Sequence, residues 1–120
     1  MIEVMSESAG TVLGVRASGK LTASDYETVW IPRIEAVIRE HGTVRILLYM
    51  DESFAGWELG AAWDDAKFGL RFQRRCERIA VVGGPRWVEW GTKLVAPMLH
   101  GEVRTFAADA LPAAWDWIRC

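Results

Sequence analysis

The stretch of the chain with the most reactive side chains is residues 57–72, WELGAAWDDAKFGLRF, which carries two adjacent carboxylates. Two acids could share a proton or bind a metal ion if their side chains converged. The apolar spacing of this stretch indicates a helix, however, and successive residues of a helix point about 100° apart. Asp64 and Asp65 therefore diverge, and Lys67 is placed to pair with Asp64. We interpret the two acids as the solvated side of a helix.

The other reactive side chains are scattered. Cys76 and Cys120 form neither a CxxC pair nor a Cys/His group with zinc-binding spacing, so both are expected to be free thiols. His41 precedes Gly42 at an expected helix end, and His100 lies in an expected loop. The chain contains neither a G-x-S-x-G elbow nor an H-E-x-x-H helix. The sequence therefore predicts no catalytic residue, no metal and no cofactor.

One loop could hold an anion. GGPR (83–86) follows an expected central strand and opens a helix, where backbone N–H groups can bind phosphate. The loop lacks both the G-x-G-x-x-G and the Walker A patterns. A tight turn is the simpler interpretation, and we predict no nucleotide site there.

Five segments are predicted to be the strands that position these groups. The β-branched runs 2–6 and 11–18 are separated by a short glycine-containing segment and predict an antiparallel hairpin. VRILLYM (44–50) and IAVVG (79–83) are apolar on both faces, which is typical of central parallel strands. EVRTF (102–106) is the last expected strand.

Helices are expected between and after these strands. Ser24 and Glu27 have the spacing of a capping box, Pro32 is expected to break or restart the helix, and Gly42 is expected to end it. Further helices are expected over 57–75, from Pro85 to near Pro97, and from an Asp109 cap to Ile118. The predicted fold is α/β, with an N-terminal antiparallel hairpin leading into a mostly parallel five-stranded sheet and about four helices.

Composition excludes some classes of function. The 120 residues are 51% hydrophobic and 25% charged, as in one globular domain spanning 1–120. The formal net charge of −2 provides no basic surface field for nucleic acid. The opening segment, MIEVMSESAG, has acids where a signal peptide needs positive charge, and no run approaches about 18 apolar residues. We expect a cytoplasmic protein that does not bind nucleic acid.

The helix expected over 57–75 is apolar on two faces. One stripe, which includes Leu59, Trp63 and Leu70, is expected to pack on the sheet. The second stripe lies on the far side and must meet another helix, a partner, a second copy in a homodimer, or an apolar ligand. These alternatives stay open at this point. The candidate binding residues are Trp57, Phe68 and Phe72 with the neighbouring Trp87 and Trp90.

Four arginines follow the same helix, at positions 71, 74, 75 and 78. Cations at a helix C-terminus complement its dipole, which is the simple interpretation of Arg71, Arg74, Arg75 and Arg78. Arginines beside exposed rings also suit a peripheral membrane contact, with guanidinium groups on anionic headgroups. The cluster is too small to indicate DNA binding.

Four blocks of the sequence together resemble the SpoIIAA-like family of small bacterial proteins. They are GKLTASDYE (19–27), GWELGAAWDDAKFGLRF (56–72), RIAVVGGPRWVEWGTKL (78–94) and EVRTFAADALPAAWDWI (102–118). The resemblance spans almost the whole chain and implies a STAS-like β/α superhelix, also likened to the lipid-binding CRAL-TRIO domain. It implies no enzyme activity. The resulting hypothesis is a noncatalytic module that binds a protein partner or an apolar, lipid-like ligand.

The resemblance also implies a second hypothesis. Anti-sigma-factor antagonists of related fold carry a phosphorylatable serine in a D-S-x-G-like turn after the third strand. The corresponding loop here is MDESFAGWE (50–58), which contains Ser53 but does not reproduce that motif. A phosphate on Ser53 would add nearly two negative charges beside Asp51 and Glu52 and could repel an acidic partner. The alternative function is therefore a regulator switched at Ser53.

Overall fold

The computed structural model describes residues 1–60, 67, 74–86, 88, 92, 93 and 101–120. Seven strands lie in this part of the chain, five in a main sheet and two in a small one. The bounds are β1 Ile2–Val4, β2 Val12–Ala17, β3 Lys20–Leu21, β4 Val44–Met50, β5 Gly56–Trp57, β6 Cys76–Gly83 and β7 Glu102–Phe106.

The main sheet has the order β1-β2-β4-β6-β7. β1 pairs antiparallel with β2, with Ile2 opposite Ala17, so the predicted N-terminal hairpin is confirmed. The pairs β2–β4, β4–β6 and β6–β7 are all parallel, which confirms the α/β class and the mostly parallel sheet. A parallel pair needs a crossover between its strands, and each crossover here advances one position along the sheet. The carboxyl ends of β4, β6 and β7 consequently lie side by side at one end of the sheet.

The helical segments with defined bounds in the described residues are three short turns and two longer helices. α1 is Ala23–Asp25, a π-helical turn spans Tyr26–Trp30, α2 is Ile31–His41, a 3-10 turn spans Ala108–Ala110, and α3 is Leu111–Arg119. The described residues contain two helices longer than one turn, α2 and α3, and not the predicted four or so. The helix expected after Pro85 falls mostly outside the described residues.

The first helical run begins two residues earlier than predicted. Thr22 Oγ1 accepts from the Asp25 N–H at 3.1 Å, and the Asp25 carboxylate accepts from the Thr22 N–H at 2.9 Å. Thr22 has the extended backbone that a cap requires, so the capping box is Thr22–Asp25 and the predicted Ser24–Glu27 box is wrong. The helix changes from π to α geometry just before Pro32, and Gly42 ends it with φ of 86°. Both of those predictions are confirmed.

The helix predicted over 57–75 is wrong at both ends. Trp57 belongs to β5, which pairs in parallel with β3, and residues 74 and 75 form a turn before β6. Leu59, Gly60 and Lys67 are helical. The other residues of the predicted stripes at 61–66 and 68–73, including Asp64 and Asp65, lie outside the described residues.

The two faces of the sheet bury separate clusters. The run 23–41 covers one face, where Tyr26, Trp30 and Ile34 pack with the buried residues of β2 and β4. α3 covers the other face through Ala114, Trp115 and Ile118, which pack with the alternate residues of β4 and β6. Gly14 of β2 leaves room for the Trp115 ring on this second face. Continuous apolar runs in the central strands thus reflect burial on both faces.

Candidate functional site

A cleft, which we call the edge cleft, lies at the carboxyl ends of the parallel strands. It consists of two cavities, of ≈ 360 Å³ and ≈ 540 Å³, that share the lining residues Gly84, Pro85 and Ala108. Volumes of about 300–1,000 Å³ are usual for small-molecule sites. The carboxyl ends of parallel strands are also where open α/β sheets usually bind ligands, because the loops diverge there.

The floor of this edge cleft depends on two consecutive glycines. Gly83 and Gly84 have φ of 74° and 83°, a region that side chains rarely tolerate. A Cβ on Gly83 would lie 2.7 Å from the Met50 carbonyl oxygen, and one on Gly84 would lie 2.8 Å from the Met50 Sδ. The backbone at both positions therefore favours glycine, in agreement with a change of chain direction at the end of β6.

Aromatic rings form much of the described wall. Phe106, at the end of β7, lines the smaller cavity, and Tyr49 and Phe54 line the larger one. Phe54 meets Trp57 edge to face, with ring centroids 5.1 Å apart. Trp57 in turn donates from Nε1 to the Tyr26 hydroxyl at 2.8 Å and is half-buried against the core. The predicted binding residue Trp57 thus supports Phe54 from the core side.

The larger cavity also has acidic residues on its rim, namely Asp51, Glu52 and Asp109. Asp51 is already engaged: its Oδ1 accepts from the Ser53 N–H at 2.9 Å and from the Ser53 hydroxyl at 2.7 Å. Its Oδ2 lies 3.6 Å from the Arg16 Nε. This carboxylate therefore holds the loop after β4 in place.

Ser53 joins two loops at the same edge of the sheet. Besides donating to Asp51, its hydroxyl oxygen accepts from the Gly19 N–H at 3.2 Å. Gly19 lies between β2 and β3, so this bond ties the loop after β4 to the preceding crossover. The serine is nevertheless exposed.

The arginines predicted as one cluster occupy different surroundings. Arg78 donates from Nη1 to the Trp117 carbonyl oxygen at 2.8 Å, and its guanidinium lies 5.1 Å from the Trp117 ring centre. Arg45, which the sequence analysis did not consider, donates to the Ile118 carbonyl oxygen at 3.1 Å. Both groups cap the C-terminus of α3, where the helix dipole favours cations.

Arg74 and Arg75, two others of the predicted cluster, have different contacts from those of Arg78. Arg74 and Arg75 are exposed in the turn before β6, and Arg75 donates to the Gly42 carbonyl oxygen at 3.4 Å. Arg71 lies outside the described residues, as do the predicted binding residues Phe68, Phe72, Trp87 and Trp90.

One cysteine of the chain is buried and the other is exposed. Both cysteines are free, as expected. Burial raises the pKa of the Cys76 thiol to about 11, which suppresses its nucleophilic thiolate. Within the described ranges no three potential metal ligands group together, and no helix there is long and apolar enough to cross a membrane. His100 lies outside those ranges.

Several residues of the edge cleft were missed by the sequence reasoning. Phe106 is far in sequence from Tyr49 and Phe54, which lie near the end of β4 and in the loop after it, so no local motif joins all three. The available signal was positional, since Tyr49 and Phe106 close predicted parallel strands and the strand ends of such sheets form ligand sites.

Comparison with known proteins identifies a family and solved structures of similar fold. The sequence model of the SpoIIAA-like family matches residues 12–119. A crystal structure of an uncharacterized DUF3478-family protein from Shewanella loihica PV-4, described as having a SpoIIAA-like fold, is 31% identical with a TM-score of 0.76. The alignment covers 98% of this chain and 93% of that protein. No curated protein matches the chain.

Proposed function

Because this chain belongs to the SpoIIAA-like family, we propose that it is a noncatalytic binding module that takes an apolar small molecule into the edge cleft. The observation that carries the proposal is the pair of cavities at the carboxyl ends of β4, β6 and β7. The fold itself supports a binding or regulatory role, and the cleft supplies a place and a size for the ligand.

The chemistry of the walls supports an apolar ligand. Tyr49, Phe54 and Phe106 offer ring surface, which is the usual source of affinity in such sites. Asp51 has its hydrogen-bonding capacity committed to Ser53 and Arg16 and is poorly available as a general base. Glu52 and Asp109 remain at the rim, where they can orient a polar end of the ligand.

The edge cleft and the predicted aromatic groove are connected along the chain. Phe54 touches Trp57, and the turn Pro85–Arg86 leads directly to Trp87 and then Trp90 in the sequence. We extend the proposal to the predicted binding residues Trp57, Trp87 and Trp90 as further contacts of the ligand's apolar body.

The test uses a residue that lines both cavities. Ala108 is exposed and shared by the two, so Ala108→Trp should fill the cleft without removing a core side chain. We expect native mass spectrometry of protein purified from cells to show a noncovalent adduct that is lost in this variant. Ala113→Trp makes the same change on an exposed residue of α3 and should retain the adduct.

Two results would contradict the proposal. Wild-type protein that carries no adduct, and binds no added neutral fluorescent lipid analogue, would leave the module without an apolar ligand and favour a protein partner. An adduct that persists in Ala108→Trp would place the ligand elsewhere on the chain.

We infer a second candidate function from Ser53, which is regulation by phosphorylation. The hydroxyl donates to Asp51 and accepts from Gly19, and a phosphate ester cannot donate that bond. It would also place negative charge next to Asp51 and Glu52, so the contact between Ser53 and Asp51 would be lost and the loop after β4 would rearrange. Intact-mass analysis after incubation with cell extract and ATP tests this, with Ser53→Ala as control. A wild-type mass that does not increase removes the idea.

A further inference from the structure

The main sheet has two edge strands, β1 and β7. Among the described residues, β7 is hydrogen-bonded to β6 alone. One row of its backbone N–H and C=O groups therefore faces away from the sheet. Such a row can template another strand, and proteins usually protect it with charged side chains.

The two charged residues of β7 have opposite signs and lie close together. Glu102 and Arg104 are both exposed, are two residues apart, and so project from the same face of the sheet. Neither makes an ion pair among the described residues. The Arg104 guanidinium instead lies 5.4 Å from the Phe106 ring centre and 5.8 Å from that of Trp117. The described residues thus leave both charges without an oppositely charged partner, although Arg104 also contacts two rings.

Opposite charges at this spacing are complementary to a second copy of themselves. If two β7 strands pair antiparallel across a two-fold axis at Val103, Glu102 of each copy stands opposite Arg104 of the other. Residues directly opposite on antiparallel strands have Cβ atoms about 4.5–5.5 Å apart, close enough for an ion pair. A register centred on Arg104 would place the Arg104 side chains of the two copies opposite each other, so the charges favour the register centred on Val103.

We propose that two copies of this chain pair through β7 to form a continuous sheet across a two-fold axis. A two-fold axis perpendicular to the sheet keeps the α3 faces of both copies on the same side, and the contact is self-complementary as an isologous dimer requires. The two Glu–Arg pairs fix its register.

The opposite edge of the sheet does not offer the same contact. β1 has only three residues, and its Glu3 carboxylate lies 3.5 Å from the Arg16 guanidinium of the neighbouring strand β2. That charge is therefore satisfied within the chain. The self-pairing edge is β7.

The test is sedimentation equilibrium of the full chain at low salt over a wide range of concentration. Wild-type protein should show a monomer–dimer equilibrium. Glu102→Arg should raise its dissociation constant by about tenfold or more, because both ion pairs become Arg–Arg contacts. The double variant Glu102→Arg/Arg104→Glu should restore association. Glu3→Arg reverses a charge on the other edge and should leave the dimer unchanged.

Mixing the two single variants provides a second measurement. A Glu102→Arg chain presents two arginines and an Arg104→Glu chain presents two glutamates, so the mixture should form heterodimers while each variant alone stays monomeric. Circular dichroism checks that each variant is folded. If Arg104→Glu does not fold, Glu102→Arg and the weakening of the wild-type dimer by salt still decide the question.

Three results overturn the proposal. The first is wild-type protein that remains monomeric at every concentration, and the second is a dimer that Glu102→Arg leaves intact. The third is a folded double variant that fails to recover association, since self-complementary charge is then not what joins the copies.

Discussion

The contact between Gly14 and Trp115 should be a sensitive point in the core. An alanine Cβ at position 14 would overlap the Trp115 Cη2 and lie 2.8 Å from Cζ2 and 3.3 Å from Cζ3. Carbon atoms in contact are normally about 3.5–4.0 Å apart, so the ring or the strand β2 must move. Overpacking of this kind costs about 1–3 kcal/mol, and the stiffer unfolded chain offsets roughly 0.5–1 kcal/mol of it. We expect Gly14→Ala to lower the free energy of unfolding by about 1–2 kcal/mol.

A second substitution should relieve the overlap. Trp115→Phe removes the distal ring atoms, and it also removes Nε1, which is buried without a hydrogen-bond partner among the described residues. Leaving such a donor unpaired costs about 1–3 kcal/mol, which offsets much of the cavity that phenylalanine creates. In the Trp115→Phe background, Gly14→Ala should therefore cost at least about 1 kcal/mol less than in the wild type.

Urea unfolding followed by far-ultraviolet circular dichroism measures this double-mutant cycle without depending on tryptophan fluorescence. Trp117→Phe is the matched control, because that ring is not among the nearest neighbours of Gly14. Its effect should add to that of Gly14→Ala. If the changes in free energy of unfolding caused by Gly14→Ala and Trp115→Phe simply add in the double variant, the Trp115 ring does not rest on Gly14.

Two further predictions concern titratable groups. Partial burial raises the pKa of Asp25, but the Thr22 backbone hydrogen bond and the N-terminal ammonium outweigh it, so the pKa lies below its ordinary 3.8. The stabilisation that this lowered pKa gives is present above pH 3.8 and is lost as pH falls through the lower folded pKa. Asp25→Ala should lower the free energy of unfolding by about 1 kcal/mol at pH 7. Its free energy of unfolding should also depend less on pH in the acid range than that of the wild type. Cys76, buried with its pKa raised to about 11, should react with a thiol reagent at pH 8 only on unfolding, whereas the exposed Cys120 should react at once; equal rates would contradict the burial.

The strands could be predicted from the sequence because their side-chain patterns are local. The apolar runs at 44–50 and 79–83 have few exposed polar positions, and only burial on both faces of a parallel sheet explains such runs. The turn at Gly83–Gly84 was predictable for a similar reason, since consecutive glycines permit backbone that other residues avoid.

Other features could not be predicted because they depend on distant contacts. Thr22 and Ser24 both suit a helix cap, and the small β3–β5 ladder makes Thr22 the residue that enters the helix from an extended strand. Pairing with β3 likewise holds Trp57 in β5, against its helical spacing. The cap on α3 by Arg45 and Arg78 joins residues separated by 73 and 39 positions from their acceptors.

The strand β7 takes part in both proposals, yet its two ends can be tested separately. Phe106 reaches the cleft at the carboxyl end, and Glu102 lies four residues earlier, about 13 Å away along an extended strand. Charge reversal at Glu102 therefore leaves the cleft wall intact, and Ala108→Trp leaves the Glu–Arg register intact. Should either change abolish both ligand binding and association, the two sites are coupled through β7, because neither substitution touches the other site directly.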